Sequence, residues 1–320
     1  MRLLFVTATR IGDALLTTGL LAHLIDRHPG AQVTVACGPA AAGLFATVPG
    51  LEELILLTKG RFARHWLHLW RRTVGRRWDM VVDLRGSSLA WCLLAKERRR
   101  WRSGWPGSRI AQLARVLDLD QPASPRVWTR PEHEAAARRL IPDGLPVLAL
   151  GPTANFTGKQ WPAGRFAELA GALTGAGGPL ARAHIAVFAA PHERGQAQRL
   201  LDMLPSDRLI DALDAGDLLT VYAALRRCRL YVGNDSGLMH LAAASGVPTL
   251  GLFGPSSPAL YAPWGTRTAF VTTDVPFPQH WLMMKEDPGF LGHMMDSLPV
   301  ERAAAAATQL LARAAAGVEA

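Results

Sequence analysis

The amino-acid sequence predicts an α/β protein of two domains, each built on a parallel sheet. Three observations carry this. At 320 residues the chain exceeds what one hydrophobic core usually organises. Short apolar runs alternate with amphipathic stretches of helical period, the pattern of βα units. A stretch rich in proline and charge, Leu119–Leu145, separates two such series.

Taken in order, the first series has apolar runs at Leu3–Thr7, Gln32–Ala36 and Met80–Leu84 as strands, with helical patterns over Asp13–Arg27 and Arg61–Val74. The opening Met1–Val6 faintly resembles a signal peptide, but Arg10 and Asp13 interrupt it, and it reads as a first strand. The second series has strands at Val147–Leu150, Ile185–Ala189, Leu230–Val232 and Thr249–Phe253. Its helices fit Pro162–Leu173, Glu193–Leu204, Leu218–Arg227 and Leu238–Ser245. An alanine-rich helix is expected over Val300–Ala316. The prolines at 142 and 146 place the boundary there, giving residues 1–142, residues 143–299 and a C-terminal helix over 300–320.

Composition narrows the function. The chain is 49% hydrophobic and 19% charged, which excludes wholesale disorder. Its formal net charge of +9 favours an anionic partner. Cys37, Cys92 and Cys228 are odd in number and lack CxxC spacing, which points to reduced thiols in a cytoplasmic protein. No apolar stretch approaches a membrane span, so membrane association is expected to be peripheral.

Ligands of open parallel sheets bind beyond the carboxyl ends of the strands, and several of those ends carry reactive residues. In Gly233-Asn234-Asp235-Ser236-Gly237, a strand gives way to a helix that Asp235 or Ser236 can cap. A helix N-terminus suits a diphosphate, Gly237 lets a ligand approach, and His240 lies one turn in. The same residues also describe an ordinary capped helix with a packed histidine. After the first strand, Asp13 is either a helix cap or a general base that takes a proton from an attacking hydroxyl. Lys159, in the loop Gly151–Pro162, suits a phosphate or is a solvated lysine; the loop lacks P-loop spacing. Glu193 is either an acceptor for ribose hydroxyls or a surface glutamate at a helix start.

The ordered set IGDALLTT (11–18), DLRG (83–86), GKQWP (158–162), APHE (190–193) and GNDSGLMHLAAASGVPTLGLFGP (233–255) resembles the heptosyltransferases of glycosyltransferase family 9. These move heptose from an ADP-heptose donor onto the lipopolysaccharide core. The resemblance runs from the N-terminus to about Trp264, and its last block is the most specific. It implies a GT-B fold, two Rossmann-like domains facing across a cleft, with the nucleotide-sugar donor in the second. It implies direct, inverting displacement with no cofactor. By resemblance Asp13 is the general base and Lys159 meets the donor phosphate. Glu193 contacts the ribose, and Asp235, Ser236, Gly237 and His240 form the donor turn, with Thr153 and Asn155 beside them. Two departures stand out: Gly19 where a proline is common, and Ala154-Asn155 where some members have paired threonines.

From Lys59 to Arg109 runs a series of lysines and arginines with only Asp79, Asp83 and Glu97 against them, interleaved with tryptophans. Arg10, Arg61, Arg64 and Arg85 are the candidates to hold an anionic glycolipid acceptor. On a helix, Phe62, Trp66, Leu69, Trp70, Thr73 and Val74 share a face. That face fits an anionic membrane, the inner face of the inner membrane by the resemblance, or equally the protein core. No RRM, KH or zinc signature favours nucleic acid. No metal site is expected: Asp118-Leu119-Asp120 has a metal-binding DxD form but lies in the proline-rich connection, and no Cys/His set has zinc spacing. Absence of GxGxxG after the first strand argues against a dehydrogenase. Transfer from another nucleotide sugar, a nucleotide-sugar epimerase of the same fold, and a non-catalytic lipopolysaccharide-assembly protein remain as alternatives.

Overall fold

The computed structural model describes residues 1–58, 60 and 64–317. The chain divides into two units, Met1–Arg130 and Pro131–Ala320.

The first unit runs β1 (Arg2–Val6), α1 (Ile11–Arg27), β2 (Gln32–Cys37), β3 (Leu51–Leu56), α2 (Arg64–Thr73), β4 (Arg77–Asp83), β5 (Leu94–Arg100) and α3 (Arg109–Ala114). Its strands are all parallel, in the order β3-β2-β1-β4-β5. The central strand β1 needs apolar side chains on both faces, and Leu3, Leu4, Phe5 and Val6 are fully buried.

Two features of this unit were not settled by the sequence. The first is β5, Leu-Ala-Lys-Glu-Arg-Arg-Arg, which has no apolar period. It forms at the sheet edge because its arginines bond inward along the fold. Arg98 donates to the carbonyls of Ala90 (2.8 Å), Ala95 (2.8 Å) and Leu93 (2.7 Å). Arg99 bonds to Glu97 and Asp118, and Arg100 to the Gly86 carbonyl. The second is α2. Leu69 and Thr73 are buried, and Trp66 and Val74 pack on the cluster around Leu4, Val6 and Val81, so its apolar face belongs to the core. Only Trp70 of that set is exposed; Phe62 lies outside the described residues.

Gly19 also finds its reason here. A Cβ at this position would lie 2.3 Å from the Ala123 carbonyl oxygen and 2.6 Å from that of Ser124. The 121–126 segment crosses α1 at this point, and the Arg126 amide donates to Thr18 Oγ1 at 3.0 Å.

The second unit continues with α4 (Pro131–Leu140), β6 (Val147–Gly151), α5 (Ala163–Thr174), β7 (His184–Val187), α6 (Arg194–Met203), β8 (Leu209–Asp211), α7 (Leu218–Leu225), β9 (Leu230–Asn234), α8 (Gly237–Ser245), β10 (Thr249–Phe253), α9 (Pro258–Tyr261), β11 (Thr268–Thr272), α10 (Phe277–Glu286) and α11 (Val300–Ala315). Its parallel strands are ordered β11-β10-β9-β6-β7-β8. One sheet face carries Leu148, Leu150, Ile185, Val187, Leu230, Val232, Leu250 and Leu252 into the main core. Ala303, Ala307 and Leu310 of α11 pack into that core at helical spacing, so the C-terminal helix is part of this unit.

The division falls at Arg130/Pro131, ahead of the proline cluster at 142–146 where the sequence placed it. The physical cause is α4, which packs on α7. Arg226 and Arg227 pair with Glu134 (3.2 Å) and Asp143 (2.5 Å), tying the 131–146 segment to the second unit. Among the described residues, no helix is long and apolar enough to cross a membrane.

Candidate functional site

In a parallel sheet whose strand order reverses, the ligand crevice opens at the reversal, outside the carboxyl ends of the two strands. In the second unit the reversal lies between β6 and β9. The loop after β6 and the turn after β9 meet there. Lys159 Nζ donates to Asp235 Oδ2 at 2.5 Å, across 76 residues of sequence. The Lys159 side chain is 23% exposed and that of Asp235 only 7%. The cap of α8 is Ser236, whose Oγ accepts from the Met239 amide at 3.5 Å. Asp235 is therefore released from capping and holds the lysine. His240 is buried one turn into α8, and Gly237 is the first helical residue, with an ordinary negative-φ backbone.

Asn234 fixes the two strand ends together. Its Nδ2 donates to the Pro152 carbonyl at 2.7 Å and its Oδ1 accepts from the Trp161 amide at 3.1 Å. Beyond β7, Glu193 turns inward instead of lying on the surface. Its Oε2 accepts from Thr153 Oγ1 at 2.8 Å and from the Ala190 amide at 3.2 Å. Thr153 is buried, whereas Asn155 is exposed on the same loop. The structure thus brings Thr153, Lys159, Glu193, Asp235 and Ser236 to one end of one sheet.

The methionine- and tryptophan-rich stretch 277–297, silent in the sequence, packs beneath these loops. Buried Met294 sits where a Cβ on Gly158 would be (2.6 Å to Sδ), and Met295 does the same at Gly254 (2.4 Å). Trp281 stacks on Phe156 and donates Nε1–H to the Pro255 carbonyl at 3.1 Å. The sequence offers no sign of this bracing, because it depends on contacts between segments that are distant along the chain, from 26 residues (Trp281 to Pro255) upward.

In the first unit the reversal lies between β1 and β4. The cap of α1 is Arg10, which makes no side-chain cap bond. Asp13 lies inside the first turn, so it is not a cap. It is half-buried and has no hydrogen-bond or ion-pair partner among the described residues. Its carboxylate is left facing the positive end of the helix dipole. Arg10 is exposed. Arg85, on the loop after β4, is half-buried with its guanidinium 5.1 Å from the Trp66 ring centroid. Arg64 is exposed at the start of α2, and Arg61 lies outside the described residues.

Asp83, at the end of β4, is fully buried. It accepts from Ser87 Oγ (2.6 Å) and the Arg85 amide (2.9 Å). Burial pushes its carboxyl above the usual range, against the pull of these two donors and the Arg100 charge. It shapes the loop that carries Arg85. Asp118 of the DxD sequence is exposed, left-handed (φ 53°) and bound to Arg99.

The family model for glycosyltransferase family 9 (heptosyltransferase) matches residues 107–279, more than half of the chain. The chain belongs to glycosyltransferase family 9. It is 32% identical over 300 residues to lipopolysaccharide heptosyltransferase 1 of Escherichia coli, covering 83% of this chain and 89% of that one. Among solved structures, a family 9 glycosyl transferase from Veillonella parvula superposes with a TM-score of 0.78 at 22% identity, covering 98% of this chain and 97% of that one. The E. coli ADP-heptose lipopolysaccharide heptosyltransferase II gives 0.73 at 20% identity, covering 98% and 100%. The fold expected from the resemblance, two Rossmann-like α/β units of the GT-B class, is the fold of this family 9 member, and the chain is a glycosyltransferase.

Proposed function

We propose that this glycosyltransferase moves a heptose from ADP-heptose onto a lipopolysaccharide core or similar anionic glycolipid, with inversion at the anomeric carbon. The observation that carries the donor assignment is the meeting of Lys159 and Asp235 at the strand-order reversal, beside the N-terminus of α8. A lysine and a helix N-terminus at one point make a diphosphate site. The relatives reported above, a lipopolysaccharide heptosyltransferase and an ADP-heptose lipopolysaccharide heptosyltransferase, supply heptose, ADP and lipopolysaccharide as the chemistry to test first.

In this reading Asp13 takes the proton of the acceptor hydroxyl as its oxygen bonds to the anomeric carbon. The bond from that carbon to the phosphate oxygen breaks, and Lys159 meets the charge that grows on the departing diphosphate. Glu193 and Thr153 face the ribose, and Asn155, Ser236, Gly237 and His240 line the donor pocket. Arg10, Arg64 and Arg85, with Arg61 outside the described residues, draw the anionic acceptor. The reaction runs at the cytoplasmic face of the inner membrane, with the enzyme bound peripherally.

The test is a donor and acceptor screen. ADP release from ADP-heptose that requires a heptose-deficient core acceptor, with an inverted product linkage by NMR, is the expected result. Acceptor-independent release, or faster turnover with another nucleotide sugar, would overturn the assignment.

A further inference from the structure

Tyr231 lies on β9, two residues before Gly233, and is fully buried. Its ring runs along the sheet toward the carboxyl end, over two glycines that pair across β6 and β9. A Cβ on Gly151 would stand 1.9 Å from the phenol oxygen, and one on Gly233 would stand 2.3 Å from it. A Cβ at either position would collide with the phenol. The two glycines and the tyrosine therefore form one set, whose outcome is a hydroxyl delivered beneath the strand-order reversal.

That hydroxyl makes no well-formed hydrogen bond in the protein, although it is buried. An orphaned buried hydroxyl destabilises the fold that holds it, so a fold that keeps one needs a reason. Its neighbours are the residues of the candidate donor site. The Ser236 side chain is its polar contact, and the Glu193 carboxylate is close enough to act on it electrostatically. Burial raises the phenol well above its ordinary range, so it is a neutral O–H donor at physiological pH.

We infer that Tyr231 is a positioning residue for the donor diphosphate, acting through Ser236. The inference rests on the donor-pocket reading above. A serine hydroxyl has two acceptor sites and one proton. Ser236 Oγ already accepts from the Met239 amide at the α8 cap. When it also accepts from Tyr231, both acceptor sites are filled, and its own proton can point only outward, toward a phosphate oxygen at the helix N-terminus. Tyr231 thus fixes the direction of the Ser236 proton without touching the ligand.

Tyr231→Phe fills the same space over Gly151 and Gly233 and removes only the hydroxyl. Calorimetric ADP affinity and nucleotide-free Tm would be measured on the full chain for wild type, Y231F, S236A, the double variant and G237V. We expect Y231F to weaken ADP binding about three- to tenfold, the range of one neutral hydrogen bond. Its nucleotide-free Tm should stay equal or rise, because an unsatisfied buried group is gone. In the S236A background, Y231F should cost nothing further. Wild-type ADP affinity in Y231F, or a loss that adds in full to that of S236A, would overturn the role of Tyr231. So would a fall in Tm with affinity unchanged, which marks a structural role. The control G237V places a branched side chain at the start of α8. If it binds ADP as wild type does, the donor-pocket reading falls and Tyr231's role falls with it. If it loses ADP while Y231F does not, only Tyr231's role falls.

Discussion

The two strand-order reversals are built from the same topology and left in opposite electrostatic states. At the second, every charged residue is already engaged: Lys159 with Asp235, and Glu193 with Thr153 and the Ala190 amide. At the first, Asp13 has no partner among the described residues, Arg10 and Arg64 are exposed, and Arg85 leans on an aromatic ring. The difference teaches that Asp13, Arg10 and Arg64 of the first site can be removed with little structural consequence, while the paired residues of the second cannot. Under the proposed function, activity and stability should be separable in one unit and entangled in the other.

The largest expected effect tests the separable side. Asp13→Asn should lower turnover by about 10²–10⁴-fold, the usual worth of a general base. Donor affinity should hold, and stability should change by no more than about 2 kcal/mol, the worth of one partly buried carboxylate at a helix N-terminus. Steady-state kinetics with a thermal melt on the same preparation checks both halves. Near-normal turnover in the folded variant would remove Asp13 from the role.

On the entangled side, Lys159→Ala leaves Asp235 as an uncompensated carboxylate that is 7% exposed. Stability should fall by about 3 kcal/mol, the low end for breaking a buried pair, because Lys159 itself retains some solvent. Donor affinity should fall too. Adding Asp235→Asn removes the stranded charge and should restore most of the melting temperature without restoring turnover. A single variant that melts as wild type would break the comparison.

A third expectation concerns which cations of the first unit are available to an anionic surface. Arg98, Arg99 and Arg100 are bound to carbonyls and carboxylates, whereas Arg64 and Arg71 share the exposed face of α2 with Leu67. Each free arginine near an anionic membrane contributes about 1 kcal/mol. The double change Arg64→Gln, Arg71→Gln should therefore weaken co-sedimentation with phosphatidylglycerol vesicles about 30-fold at low salt. Arg98→Gln should leave vesicle binding near wild type and lower the melting temperature instead. The reverse pattern would mean that the edge strand, not α2, meets the membrane.

The smallest effect is a pH dependence. The Asp83 carboxyl titrates above its ordinary range in the folded chain, so the native state holds this proton more tightly than the unfolded state does. Asp83's contribution to stability is thus most favourable below its unfolded value and is lost as pH rises through the folded one. The stability of Asp83→Asn relative to wild type should accordingly rise with pH across the carboxylate range. Denaturant melts at a series of pH values would show it, and a flat difference would contradict the burial argument.

The sequence showed the elements whose residues are apolar on both faces, β1, β6, β9 and β10, because nothing else explains such runs. It hid β5, whose arginines lack any apolar period yet satisfy their charge within the fold. It hid β8 as well, which is only three residues long. The candidate site loops were visible as polar residues at strand ends, but not their pairing: whether Asp13 or Arg10, and Asp235 or Ser236, occupies a cap depends on where each helix starts. Lys159 and Asp235 reveal their contact only when β6 and β9 lie side by side. Gly19 looked like a departure from the family until the crossing segment at Ala123–Ser124 accounted for it.

The arginine run of β5 has a last consequence, for self-association. An outermost strand offers unpaired backbone groups to any passing copy of the chain, and charged side chains along it deter such pairing. Lys96 projects into solvent beside Arg98–Arg100, on the strand that closes one margin of the first sheet. Neutral replacements there would turn a repelling margin into a template for intermolecular β-addition, and the protein's solubility would fall before its activity did.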